Sequence, residues 1–85
     1  MIFPQVNMNG TDAADLALAY LDASNLLEQA IRAMYAPFHG RDYQLVPGSF
    51  EEARREMNGR ELAIRSVKDE IDAIIGKVAE SIKVK

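Results

Sequence analysis

The groups able to do chemistry are concentrated in residues 36–48. The one histidine, His39, is followed there by Gly40, Arg41, Asp42 and Tyr43, with prolines at 37 and 47. Histidine titrates near neutrality, a planar guanidinium grips phosphate or carboxylate through paired hydrogen bonds, and tyrosine stacks on a base or donates from its hydroxyl. A glycine at 40 would let the backbone take a positive φ and approach a ligand. Together these are parts of a loop for a phosphorylated, nucleotide-like molecule. No Ser, Cys or second His is placed to complete a nucleophilic triad or a metal set, and the phosphate-loop pattern GxxxxGK[ST] does not occur. The plainer reading stands beside the first: Gly40 makes the turn, Arg41 pairs with Asp42 or a helix end, Tyr43 packs beneath the loop, and His39 has no chemical role.

A second set of cations follows at Arg54, Arg55, Arg60, Arg65 and Lys68. Glu51 to Arg55, Glu56 to Arg60 and Glu61 to Arg65 are spaced as i,i+4 ion pairs, so a solvated, salt-bridged helix face accounts for most of them. Arg60 is the exception, because the apolar periodicity puts it in the buried seam. It must meet a carboxylate, reach the edge, or hold an anion from outside. Asp12, Asp15, Asp22 and Glu28 are scattered around a surface rather than paired for acid–base work. The expectation is therefore no enzyme, no metal site and no cofactor.

Two helices must position these groups. Over 12–36 the apolar residues fall at Ala13, Leu16, Tyr20, Ala23, Leu27, Ala30 and Met34, alternating gaps of three and four, with Leu26 and Ile31 widening the stripe. Thr11 is the expected N-cap, Asn9 its competitor, and Pro37 ends the helix. Ser49 with Glu52 matches a capping box for a second helix over 50–82, whose seam runs Phe50, Ala53, Met57, Arg60, Ile64, Val67, Ile71, Ile74 and Val78. Asn58-Gly59 is a possible break, but the seam keeps its phase across it, so one continuous helix is expected. With a loop over 37–48 and an extended arm over 1–10, this is an all-α, single-domain antiparallel two-helix hairpin. The longer second helix should overhang, leaving Ile74, Ile75, Val78 and Ile82 for the arm (Ile2, Phe3, Val6) or a second subunit to cover.

Eighty-five residues without a cysteine make a thin core that no disulfide reinforces. Self-association, a homo-oligomer, is the expected remedy. A formal net charge of −3 argues against a nucleic-acid polymer as partner. The absence of any apolar run near the ~18 residues that span a bilayer, and of a signal-like start, leads to the expectation of a cytoplasmic protein without a membrane partner.

These residues carry a resemblance. Asn9-Gly10-Thr11 before one helix, the Gly40-Arg41-Asp42-Tyr43 loop and a second charged helix from Ser49 to Ser81 resemble a group of small phage-encoded proteins of unknown role. No catalytic residues come with it. Small oligomeric phage proteins include sponges for the nucleotide signals of bacterial immunity, built from Arg, Tyr and helix ends between subunits. By that analogy the resemblance implies a non-enzymatic accessory protein in the bacterial cell, sequestering such a signal through His39, Arg41, Tyr43, Arg54, Arg55 and Arg60 and countering host defence. The alternative is a protein–protein interaction module that docks on and inhibits a host or phage protein.

Overall fold

Residues 1–5 and 10–83, which the computed structural model describes, carry two α-helices and no strand. Helix α1 spans Ala13–Tyr35, a 3-10 turn spans Gly40–Tyr43, and α2 spans Ser49–Lys83. The helices pack antiparallel as the hairpin expected from the periodicity, 62 × 21 × 18 Å in extent.

The cap of α1 is Asp12, not Thr11. Its carboxylate accepts the Ala14 N–H at 3.1 Å and its carbonyl accepts the Leu16 N–H at 2.9 Å. A carboxylate at this position gains from the hydrogen bond and from the positive end of the helix dipole, an advantage a threonine hydroxyl lacks. Asn9, the competing cap, and Val6 of the expected arm lie outside the described residues. Pro37 ends α1 as expected, and the chain leaves it through a turn in which the Phe38 N–H donates to the Tyr35 carbonyl at 3.0 Å.

The capping box at Ser49 does not form. Gly48 takes a left-handed φ of 82° and its carbonyl accepts from the Glu52 N–H at 3.3 Å, so Ser49 is already the first helical residue. Its hydroxyl donates instead to the Tyr43 carbonyl at 3.1 Å and ties the loop to the helix start. Past this point α2 runs unbroken through Gly59 and Gly76.

Three polar links fix the register. The Ser24 hydroxyl donates to Asp72 Oδ1 at 2.5 Å, Arg65 Nη1 donates to Glu28 Oε1 at 3.2 Å, and the Tyr35 hydroxyl donates to Glu61 Oε1 at 2.8 Å. Counting back from Ser24 at equal rise sets Ala13 level with the last turn of α2. The overhang therefore lies at the other end from the one expected: α2 runs beyond α1 over its first turns, and the loop folds onto them. Val78 is 1 % exposed and Ile74 and Ile75 are half-buried, leaving only Ile82 of that group exposed.

The buried line is also rotated from the expected seam. Ser24 and Ile31 are the most buried residues of α1 with Ala13, whereas Ala30 is exposed. In α2 the inward line runs Met57, Glu61, Ile64, Lys68, Ile71, Ile75 and Val78, so Glu61 takes the position assigned to Arg60, and Val67 is 49 % exposed. Arg60 lies at the surface, 3.9 Å from Glu56 and 3.6 Å from the Met57 sulfur. The physical reason is the width of the apolar stripe: two lines of residues, both spaced by three and four, run side by side on each helix. The one that faces the partner helix is the one flanked by groups able to bond across.

Candidate functional site

The loop end is built on four aromatic rings. Phe38 stacks on Phe50 with centroids 5.4 Å apart and planes 22° apart. Tyr43 tilts against both, at 5.6 Å from Phe38 and 5.9 Å from Phe50. Tyr35, on the last turn of α1, meets Phe38 edge-on at 6.3 Å. Such pairs contribute about 0.5–1.5 kcal/mol each beyond area burial, so the cluster holds a short polar loop in one place. The Gly40 backbone lies against the Phe50 ring without taking a positive φ; the conformational freedom expected at Gly40 is used at Gly48.

Each residue expected in the ligand site has a definite place. Tyr43 is half-buried and spends its ring on the cluster, so it is not free to stack on a base. Arg54 lies over the Phe50 ring at 5.5 Å while its Nη2 donates to both Glu51 oxygens at 3.0 and 3.1 Å. Glu51 thus pairs with Arg54, not with Arg55 as its spacing suggested. Arg60 stands six residues, or about 9 Å, further along α2 than Arg54. His39, Arg41 and Arg55 are exposed, and among the described residues none of the three side chains has a hydrogen-bond or ion-pair partner. Beside them the loop presents Leu45, 97 % exposed, and Val46, 63 % exposed. Of six expected residues, the structure leaves three cationic or titratable groups free at the loop end and ties up the other three.

A second constellation was not expected. Arg65 donates from Nε to Glu61 at 2.7 Å and from both terminal nitrogens to Glu28 at 3.2 and 3.5 Å, crossing from α2 to α1. Glu61 also accepts from Tyr35, whose hydroxyl lies 3.2 Å from the Asn58 amide oxygen. One step along the hairpin, Asp72 accepts from Ser24 and, at 3.0 Å, from Lys68. The hydrogen bonds from Arg65 and Tyr35 hold the Glu61 carboxyl below its ordinary value. Those from Ser24 and Lys68 do the same for Asp72. The hydrogen bond to Glu61 raises Tyr35, and those to Glu61 and Glu28 raise Arg65. Every charge here meets an opposite charge within the hairpin, which makes the ladder a structural clamp between the two helices. Its signal was present in the sequence: Asn58, Arg65 and Asp72 repeat every seven residues, as do Glu61 with Lys68 and Glu28 with Tyr35.

Among the described residues no group of His, Asp and Glu is arranged to hold a metal ion, and no helix is long and apolar enough to cross a membrane. No family model, curated protein or solved structure matches the chain.

Proposed function

We propose that the protein is a non-enzymatic binding module: a self-associating helical hairpin that docks onto a partner protein through its loop end. The observation that carries this reading is Leu45 and Val46, exposed side by side with the free Arg41 and His39 on a loop braced by four aromatic rings. An apolar pair on one loop with an unpaired guanidinium and an exposed imidazole fits a protein surface with an apolar hollow and acidic neighbours. Burying a leucine side chain contributes about 1.5–3 kcal/mol, and a braced loop loses little conformational entropy on docking. A photo-crosslinking residue at Leu45 should capture one protein in the native cell, and the same residue at the exposed Glu52 of α2 should not. Equal capture from both positions, or none from Leu45, would refute the docking role of the loop.

A second reading keeps the phosphorylated, nucleotide-like ligand, and what favours it is the free state of Arg41, Arg55 and His39. It loses Tyr43 as a base platform, and Arg54 and Arg60 face Glu51 and Glu56. Calorimetry against cyclic di- and trinucleotides and ADP-ribose derivatives separates the two. Binding tighter than about 100 µM that Arg41→Ala abolishes supports sequestration, and its absence leaves the docking reading alone.

A further inference from the structure

The hairpin has two unlike sides. Helical phase at 100° per residue places Glu28, Tyr35, Asn58, Arg65 and Asp72 on one side of the interhelical seam, where they form the polar ladder. On the opposite side each helix carries a further apolar line, rotated about 60° from the buried one. In α1 it steps by four and three from Leu16 to Met34; in α2 it is carried by Val67 and Ile74, one heptad apart, edged by Ile64 and Ile71 of the buried line. Both lines are apolar throughout. Their middle is open: Ala30 is exposed and Val67 is 49 % exposed, whereas Ile64, Ile71 and Ile74 are only half-covered.

We infer that this side is the self-association face, and that two copies pack it against each other as an antiparallel four-helix bundle with α1 of each copy lying on α2 of the other. The inference rests on the self-association proposed above and specifies its surface. Three observations support it. A four-three spacing held over about 27 Å on α1, facing Val67 and Ile74 one heptad apart on α2, is the spacing that parallel or antiparallel helices fill. The surface is in excess: the chain exposes 6464 Å², while a compact monomer of 9.5 kDa exposes about 5,000 Å². The excess of roughly 1,400 Å² per chain exceeds the about 800 Å² that each partner gives up in a standard-sized interface, so such an interface fits within it even with the exposed Ile2 and Leu45 counted apart. Finally, the lines differ in bulk. The α1 line has Ala23 and Ala30 where the α2 line has Val67 and Ile74, with Ile71 at its edge. Ala against Ile or Val fills the layer, whereas Ala on Ala leaves voids and Ile on Ile overpacks. That complementarity selects α1 on the partner's α2, and the equal level of the two helices puts Ala30 of one copy near Val67 of the other.

Sedimentation equilibrium should give twice the chain mass. Val67→Glu should weaken the dimer on the order of a hundredfold or more by setting an unpaired carboxylate in the interface, with helical circular dichroism retained. Leu62→Glu, at a comparably exposed leucine outside this face, should leave the dimer unchanged. The Ala30→Cys/Val67→Cys double variant, in a chain with no cysteine of its own, should oxidise to a covalent dimer. A monomeric wild-type chain refutes self-association altogether. A dimer indifferent to Val67→Glu refutes this face but not self-association, and a Val67-sensitive dimer without the disulfide refutes the pairing of α1 on α2. The crosslinking test at Leu45 is independent of all three.

Discussion

Replacing Phe50 by alanine should release the loop while leaving the hairpin folded. The ring touches Phe38 at 5.4 Å and Tyr43 at 5.9 Å, carries the Arg54 guanidinium at 5.5 Å, and lies against the Gly40 backbone. Full burial of a phenylalanine would make truncation cost about 3–5 kcal/mol; Phe50 is only half-buried, which brings the estimate to about 2–3 kcal/mol. Alanine is the better helix former by about half a kcal/mol, so the net loss is about 2 kcal/mol. That loss falls on the loop, since the links from Ser24 to Asp72 and from Glu28 to Arg65 do not involve the ring. Hydrogen exchange followed by mass spectrometry should show loop amides, Asp42 and Phe38 among them, exchanging roughly thirtyfold faster, since 1.4 kcal/mol is a factor of ten in local opening. Amides in the middle of α1 and α2 should change little. If the loop amides accelerate less than about threefold, or the helices lose protection equally, the rings do not brace the loop and the docking proposal loses its platform.

Two further outcomes test the body of the hairpin. Glu61 and Asp72 have folded pKa values held below their ordinary 4.5 and 3.8, so their contribution is complete above those values and is lost as pH falls through the lowered ones. Tyr35 is raised above 10.0, so its contribution is complete below pH 10 and is lost as pH rises through the raised value. Melting temperature against pH should therefore fall at both ends, and Tyr35→Phe should flatten the alkaline limb; parallel alkaline limbs for both proteins would remove Tyr35 from the clamp. Gly59 lies inside α2 with open space where a Cβ would be, so Gly59→Ala should stabilise by about 0.5–1 kcal/mol and raise the melting temperature by a few degrees. No rise would mean that α2 bends or opens at Gly59 in solution.

The helices were legible because their ends are written in residues with one physical meaning. Pro37 bars continuation of α1, and the apolar pattern keeps one phase across Asn58-Gly59. Capping was less legible because Thr11 and Asp12 both offer an oxygen at the helix start, and the choice depends on electrostatics that spacing alone does not rank. At Ser49 the motif was present, but a left-handed Gly48 moved the helix start one residue earlier and turned the hydroxyl toward Tyr43. The overhang was misplaced because helix lengths set how much one helix exceeds the other, while cross-links such as that from Ser24 to Asp72 set at which end.

Arg60 carries the same lesson to the candidate site. The spacing that placed it in a seam was real, but each helix has two apolar lines, and periodicity does not say which one the neighbouring helix takes. Polar residues at seven-residue intervals decide it: the hairpin closes along the line next to Glu28, Arg65 and Asp72, where charges can pair across the seam, and the second line is left facing outward. Arg60 belongs to the phase of that second line, one heptad before Val67. Its guanidinium would then sit at the end of the proposed bundle, where it can stay hydrated beside Glu56, and it no longer requires an anion to be tolerated. The strongest reason for placing a ligand on α2 is thereby removed. What remains at the loop end is an exposed Leu45 and Val46 with free cations beside them, a composition better matched to a protein surface than to a phosphate.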